Sequence, residues 1–496
     1  MKTSEFRALG YRMVDEIAAY WERLEREPEG VLVLSRVKPG EIASKLPERA
    51  PEHGEAWEAM FADIERVIMP GLTHWQHPNF YAFFPANVSG PAVLGEMLSA
   101  GLGVQGMLWA TSPACTEIET RVLDWLGRAV GLPDSFLSTS ANGGGVIQGT
   151  ASEAALAALV AARHRCVQRG KQPRDLCVYT STQAHSSIVK AAMIAGIATG
   201  PEDRSRVRLI GVDRTFQMRT DALEAAMQAD IAAGLTPAFV CASVGTTSCT
   251  AIDDVEAIAR AIDAAGARDA WLHVDAAHAG AACVCPEFQS WLRGVERAES
   301  FCFNPHKWLL TNFDCNCFWT RDRASLIGSM SITPEYLRNA ASDSGAVFDY
   351  RDWHVPLGRR FRSLKLWFVM RHYGLTGLRG YIREHMRLAE LLEGWVQADD
   401  RFEMAAPRTM NLVCLRLRAR SGESDAEADA RTKRAMDAIN ASGAAYLTHT
   451  TLPVFDERGE VTGSRVVLRV SIGATMTREE HVRGLWELLR AQADAA

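Results

Sequence analysis

No run of about 18 consecutive apolar residues occurs in the 496-residue chain, so no membrane-spanning helix is expected. The N-terminus, MKTSEFRALGYRMVDEIAAYWERLEREPEG, lacks the apolar centre of a secretory signal. Instead Phe6, Leu9, Met13, Ile17, Trp21 and Leu24 recur at helical spacing among charges and predict an amphipathic helix. A soluble, cytoplasmic protein is the expectation. A long basic run is also missing, and 54 Lys and Arg against 60 Asp and Glu leave a formal charge of −6. Nucleic acid as a main partner would need a concentrated cationic face. The densest basic stretch, Arg359, Arg360, Arg362 and Lys365, is short and predicts an ion-pair network at a helix start. Zinc-type CxxC pairs are lacking: the eleven cysteines are scattered through apolar segments, and Cys283/Cys285 and Cys315/Cys317 are CxC, so buried free thiols are expected. There is no internal repeat or low-complexity tract. With 47% hydrophobic and 23% charged residues, collagen-like, disordered and coiled-coil chains are excluded.

What is present divides into three parts. Residues 1–89 hold two helical patterns separated by the loop VKPGEIASKLPERAPEHGE and end in HWQHPNFYAFFP, an apolar run that needs cover. Residues 90–364 alternate helices with the β-rich runs DLCVYTS, RVRLIGV, PAFVCASVG, WLHVDAA and ESFCFNP, which predicts βαβ units and an α/β domain with a mostly parallel, doubly wound sheet. Residues 365–496 mix helices with the strands NLVCLRLRA and RVVLRVSIG, as in a smaller α+β domain. Ligands of such a sheet bind beyond the carboxyl ends of its strands. Those ends carry Thr182, Gln183, Ala184 and His185; Gly245, Thr246 and Thr247; Asp275 and Ala277; and Asn304, His306 and Lys307.

Four features there belong together. In GGGVIQGTASEAALAALVAARHRC, Thr150 and Glu153 predict a capping box opening a long helix. The glycine-rich approach makes the amides of Ala151 and Ser152 an anion seat; an ordinary capped helix is the alternative. Lys307 stands between His306 and Trp308 after an apolar strand. Burial there would lower its pKa and suit it to a Schiff base, against the alternative of a snorkelling lysine. Asp275, flanked by apolar and small residues, needs a cationic partner, which a protonated pyridine nitrogen supplies; a loop-capping aspartate is the other reading. His185 offers a flat imidazole. Phosphate seat, buried amine, pyridinium partner and stacking ring are the four parts that pyridoxal 5′-phosphate requires.

The runs HVDAAHAG, FNPHKWLLTNFDC, QAHSS, SPACTEIET and DYRDWHVPLGRRFRSLKLWFV resemble the aromatic L-amino-acid decarboxylases, pyridoxal-phosphate group II enzymes, from about residue 5 into the C-terminal part. The resemblance implies pyridoxal-phosphate fold type I, the aspartate-aminotransferase-like fold with a seven-stranded large-domain sheet. It also implies a homodimer with shared active sites, in which the N-terminal segment packs on the partner. It makes Lys307 the cofactor-bearing lysine, Asp275 the partner of the pyridine nitrogen and His185 the stacking ring. Thr150, Ala151, Ser152, Asn304 and His306 would surround the phosphate, Ala277 would pack on the other ring face, and Thr246 would lie near cofactor and substrate. Tyr336 matches the tyrosine that protonates Cα; relatives with Phe there, or Asn at the histidine, tend toward aldehydes. The implied substrate pocket comprises Trp75, Phe83, Phe84, Pro85 and Ala86, with Gln105, Met107, Leu357 and Gly358 reaching in from the partner. Gly358 stands where a serine accompanies phenolic substrates in some plant members, leaving room for an indole. His278 replaces a frequent tyrosine.

The expected activity is decarboxylation of aromatic L-amino acids of the tryptophan, phenylalanine, tyrosine and dihydroxyphenylalanine class to arylalkylamines and CO2. An aromatic aldehyde synthase and a histidine decarboxylase stand as alternatives, an aminotransferase or non-catalytic carrier behind them. Gly101, Gly103 and Gly106 match GxGxxG, but the preceding PAVLGEMLSA reads as a helix, whereas a dinucleotide fingerprint must follow a strand.

Overall fold

A computed structural model describes residues 1–332 and 347–495. Its central sheet has seven strands: β1 (Gly144–Gln148), β2 (Leu176–Ser181), β3 (Val207–Ile210), β4 (Thr236–Ser243), β5 (Trp271–Asp275), β6 (Ser300–Phe303) and β7 (Asn316–Thr320), in the order β1-β7-β6-β5-β4-β2-β3. Only β7 runs against its neighbours; the other pairings are parallel. The strands LCVYTS and TPAFVCAS are buried at every position, which is why they read as continuous apolar runs without alternation. Helices cover both faces, among them Pro113–Val130 and Ala151–Gln168. β1, β2, β4, β5 and β6 share one direction, so their carboxyl ends line one edge, and the five loops named from the sequence meet there.

Two strands of this sheet were not expected. GGVIQ, read as a glycine-rich approach, is β1. Its glycines are required by packing: a Cβ on Gly144 would sit 2.7 Å from the Trp353 indole, and one on Gly145 2.7 Å from Trp319. NCFWT forms β7. The GxGxxG match lies at the end of the helix Gly90–Leu102, with Gly103 as its left-handed cap, so no strand precedes it.

The second sheet is antiparallel, with β8 (Phe402–Met404), β9 (Leu412–Leu417), β10 (Thr448–Phe455) and β11 (Val461–Ser471) in the order β10-β11-β9-β8. The helix Arg362–Gln397 passes from the first sheet toward the second and breaks at Gly374, whose φ of 59° suits glycine. The run HWQHPNFYAFFP is covered in part within the chain. Phe80, Tyr81 and Ala82 are at most 1% exposed, Tyr81 packing into the core of the second sheet and Phe80 against Tyr446. The basic stretch does form an ion-pair network: Arg359 with Glu119, Arg360 and Lys365 with Glu96, and Arg362 with Asp314. Arg359 and Glu119 are both fully buried 2.6 Å apart, and each also bonds the Ile147 backbone, pinning β1. All eleven cysteines are free and buried. Among the described residues no helix is long and apolar enough to cross a membrane.

Candidate active site

At the carboxyl edge of the first sheet opens a cavity of about 570 Å3, lined by Trp75, Phe83, Phe84, Pro85, Ala86, His185, Thr247, His306, Lys307, Phe313 and Arg469. Nine of these are residues named from the sequence. The aromatic wall is rigid. Trp75 stacks on Phe83 with ring centroids 5.7 Å apart. Phe83 holds a left-handed φ of 54°, costly for a bulky residue, and is clamped there: its N–H donates to Thr448 Oγ1 (3.3 Å) and its carbonyl accepts from Arg469 (3.3 Å).

Lys307 follows β6 in a one-turn helix, Pro305–Trp308, whose proline suits the first helical position. Its Nζ lies 5.2 Å from the centre of the Phe84 ring. Burial holds the amine below the ordinary lysine range; Asp275 opposes this and Arg469 reinforces it. Asp275 ends β5, 8% exposed, one carboxylate oxygen accepting from the Ala277 N–H (2.9 Å). The Ala277 carbonyl in turn accepts from Asn304 N–H (3.0 Å), joining the β5 and β6 loops. His185 is oriented by the Ser187 N–H donating to Nδ1 (3.1 Å), and desolvation holds its ring below the usual histidine value. His306 Nδ1 accepts from Cys315 N–H (2.9 Å), so its proton sits on Nε2, and burial lowers its pKa to about 3. Asn304 is 2% exposed and its Oδ1 has no partner among the described residues.

The capping box at Thr150 does not form. Thr150 contributes no side-chain cap, and the Glu153 carboxylate instead accepts from the Gly149 N–H (2.8 Å) while its other oxygen faces His354 Nδ1 at 3.5 Å. The His354 side draws the carboxylate one residue upstream. The helix start stays open nonetheless. Its first bonds run from the Glu153 and Ala154 amides to the Thr150 carbonyl, leaving the Ala151 and Ser152 N–H groups without acceptors among the described residues.

Other expected residues lie apart. Thr246 is buried, its hydroxyl accepting from Ala251 N–H (3.0 Å), and Thr247 lines the cavity in its place. Gln105, Met107, Leu357 and Gly358 do not reach this chain's own cavity. Gln105 Oε1 accepts from Arg359 N–H (2.5 Å), and Leu357 is 47% exposed. Tyr336 lies outside the described residues. Phe313 and Arg469 were missed. Arg469 reaches in from β11, with four of its N–H groups given to the carbonyls of Thr247, Ser248 and Phe83 and to Thr448 Oγ1.

Four histidines around this centre are buried and neutral: burial lowers His278 and His306 to about 3, and His273 and His385 to about 4, from 6.5. Unfolded, each takes up a proton near pH 6.5, so their contribution to stability is complete above that value and lost as pH falls toward 4. The loss is ~1.4 kcal/mol per pH unit for each histidine. The thermal-unfolding midpoint is therefore expected to fall steadily from pH 7 to pH 5; a midpoint flat across that interval would contradict the assignment.

A pyridoxal 5′-phosphate group needs an unpaired amine, a carboxylate, a flat neutral ring and N–H donors for its phosphate. Lys307 has no carboxylate in ion-pair range among the described residues, His306 presents an Nε2–H, the Ala151 and Ser152 amides are open, and Asn304 has an orphaned amide oxygen. The residues fit. Comparison with known proteins agrees. The model of the pyridoxal-dependent decarboxylase conserved domain matches residues 39–418. Tryptophan decarboxylase 2 of Oryza sativa subsp. japonica is 46% identical over 99% of this chain and 95% of its own length. Phenylacetaldehyde synthase of Arabidopsis thaliana is 45% identical over 99% and 96%. The crystal structure of Oryza sativa TDC with PLP and tryptamine superposes with a TM-score of 0.93 at 40% identity, covering 100% of this chain and 99% of the other. The fold is therefore pyridoxal-phosphate fold type I, and the protein is a carboxy-lyase that uses pyridoxal 5′-phosphate and belongs to the aromatic L-amino-acid decarboxylase family.

Proposed function

We propose that the protein converts aromatic L-amino acids, indoles included, to the corresponding arylalkylamines and CO2. The observation that carries this reading is the single cavity in which Lys307 and His185 face a wall of Trp75, Phe83 and Phe84. When bound, the cofactor accepts the electron pair left at Cα as the carboxylate departs. Lys307, whose amine burial holds below the ordinary lysine range, would be the nucleophile that carries it. Asp275 would hold the ring nitrogen protonated, and His185 and Ala277 would enclose the ring. Thr150, Ala151, Ser152, Asn304 and His306 would bind the phosphate. The aromatic wall excludes water and orients the side chain of the substrate, and Arg469 places a permanent positive charge beside its carboxylate end. Tyr336 is the proton donor to Cα. With His185 it favours the amine over the aldehyde, the product named for the Arabidopsis relative.

The reading includes a homodimer. An apolar groove of about 650 Å3 runs between the N-terminal helix and the helix Gly90–Leu102, with Phe6, Leu94 and Met97 on its walls 57%, 54% and 47% exposed. Such a face on a stable protein calls for a partner, and a second copy would also bring Gln105, Met107, Leu357 and Gly358 to a cavity they do not reach in their own chain. A three-part division at 89/90 and 364/365 and a cytoplasmic location, supported by eleven reduced thiols, complete the proposal.

Gly358 provides the test of substrate shape. A Cβ there would stand 3.3 Å from Gln105 Nε2, and the Gln105 side chain is held by the Arg359 amide, so a serine crowds the pocket. Gly358→Ser is expected to lower kcat/KM for tryptophan roughly tenfold more than for tyrosine, the scale of a small steric change in an apolar pocket. Equal losses on both substrates would count against indole accommodation.

A further inference from the structure

His278 is buried beneath the substrate wall and takes no part in the chemistry described so far. It lies on the loop after β5, three residues beyond Asp275 and one beyond Ala277, and is 1% exposed. One face of its ring stacks on Phe84, with centroids 4.1 Å apart and planes 18° apart. The other stacks on Trp308, at 4.8 Å and 14°. Phe84 is a wall of the cavity and Trp308 the residue after Lys307. The ring cannot turn freely. Asn411 Nδ2 donates to the Ile472 carbonyl (2.8 Å), which leaves Oδ1 to accept from His278 Nε2–H (2.7 Å). Trp308 is fixed in turn, its indole N–H donating to His385 Nδ1 (2.9 Å). Phe84, by contrast, is only partly buried and lines the cavity, with the Arg469 guanidinium and the Lys307 amine each 5.2 Å from its ring centre.

We infer that His278 is a positioning residue: sandwiched between Trp308 and Phe84, it sets the substrate wall at a fixed height above the lysine-bearing loop, and so tunes how tightly a flat aromatic substrate is held. The inference rests on Phe84 being a wall of the substrate site. A planar ring at 278 is what the arrangement requires; the hydrogen bond to Asn411 only holds that ring in place.

The test uses the cofactor-loaded enzyme and three substitutions. His278→Gln keeps a donor for Asn411 but removes the stack. It is expected to raise KM for tryptophan and tyrosine about five- to tenfold, with kcat within about twofold and the absorbance of the lysine-bound cofactor unchanged, since ground-state binding alone is affected. His278→Phe keeps a planar ring and is expected to hold KM within about twofold of the parent. Phe84→Ala is the control and should raise KM at least as much as His278→Gln. An unchanged KM in His278→Gln, or a His278→Phe variant as impaired as His278→Gln, would overturn the inference. If Phe84→Ala itself leaves KM unchanged, the wall assignment fails and the inference with it.

Discussion

Replacing Lys307 with alanine is expected to reduce turnover by roughly 10^4-fold or more, the scale seen when the covalent group of an active site is deleted. The near-visible absorbance of the lysine-bound cofactor should disappear with it. The reason lies in how the amine is made. Lys307 follows a buried strand whose loop is tied to the β5 loop through Asn304 and Ala277, so its side chain rises into the cavity with no carboxylate in ion-pair range among the described residues. Desolvation there penalises the ammonium form more than Asp275 supports it, and a larger fraction of neutral amine follows. Among the described residues no other lysine lines the cavity. Borohydride reduction should fix the cofactor covalently to the parent and not to the variant. An unchanged reducible adduct in Lys307→Ala would remove the lysine from its role.

Tyr336→Phe should change the product rather than the rate of CO2 release. A phenol can return a proton to Cα and phenylalanine cannot, so the electron-rich carbon persists and reacts with dioxygen. Aldehyde, ammonia and peroxide should then replace most of the amine, with dioxygen consumed in step. Loss of a positioned acid commonly costs about 10²- to 10⁴-fold in the step it serves, enough to invert the partition. A phenylacetaldehyde synthase and a tryptophan decarboxylase are 45% and 46% identical to this chain, so overall identity does not choose between the two products. Product analysis with oxygen-electrode monitoring decides it; an unaltered amine yield would take Tyr336 out of the mechanism.

Much of the scaffold was legible because its strands are buried on both faces: DLCVYTS, PAFVCASVG and WLHVDAA read as strands since they are short and mostly apolar. β1 was not, because GGVIQ owes its glycines to the indoles of Trp319 and Trp353, which approach from distant parts of the chain. The misread capping box has the same origin. Glu153 has the spacing to reach back to Thr150, but His354, two hundred residues on, faces its carboxylate and Gly149 claims it. Lys307, His185 and His306 were legible from strand-end position and reach one cavity. Arg469 was not: on an alternating strand a single arginine reads as solvent-facing, and only the fold shows the end of β11 wholly buried against the β4 loop.

The central claim, an aromatic amine-forming decarboxylase, is tested most directly by competition. Purified protein with pyridoxal phosphate is given an equimolar mixture of phenylalanine, tyrosine, dihydroxyphenylalanine, tryptophan, 5-hydroxytryptophan, histidine and glutamate, and amines, aldehydes and CO2 are quantified together. Aromatic amines in amounts matching CO2, with tryptamine among them and no product from glutamate, are the predicted result. Aldehydes with peroxide in place of amines, or histamine as the main product, would contradict it.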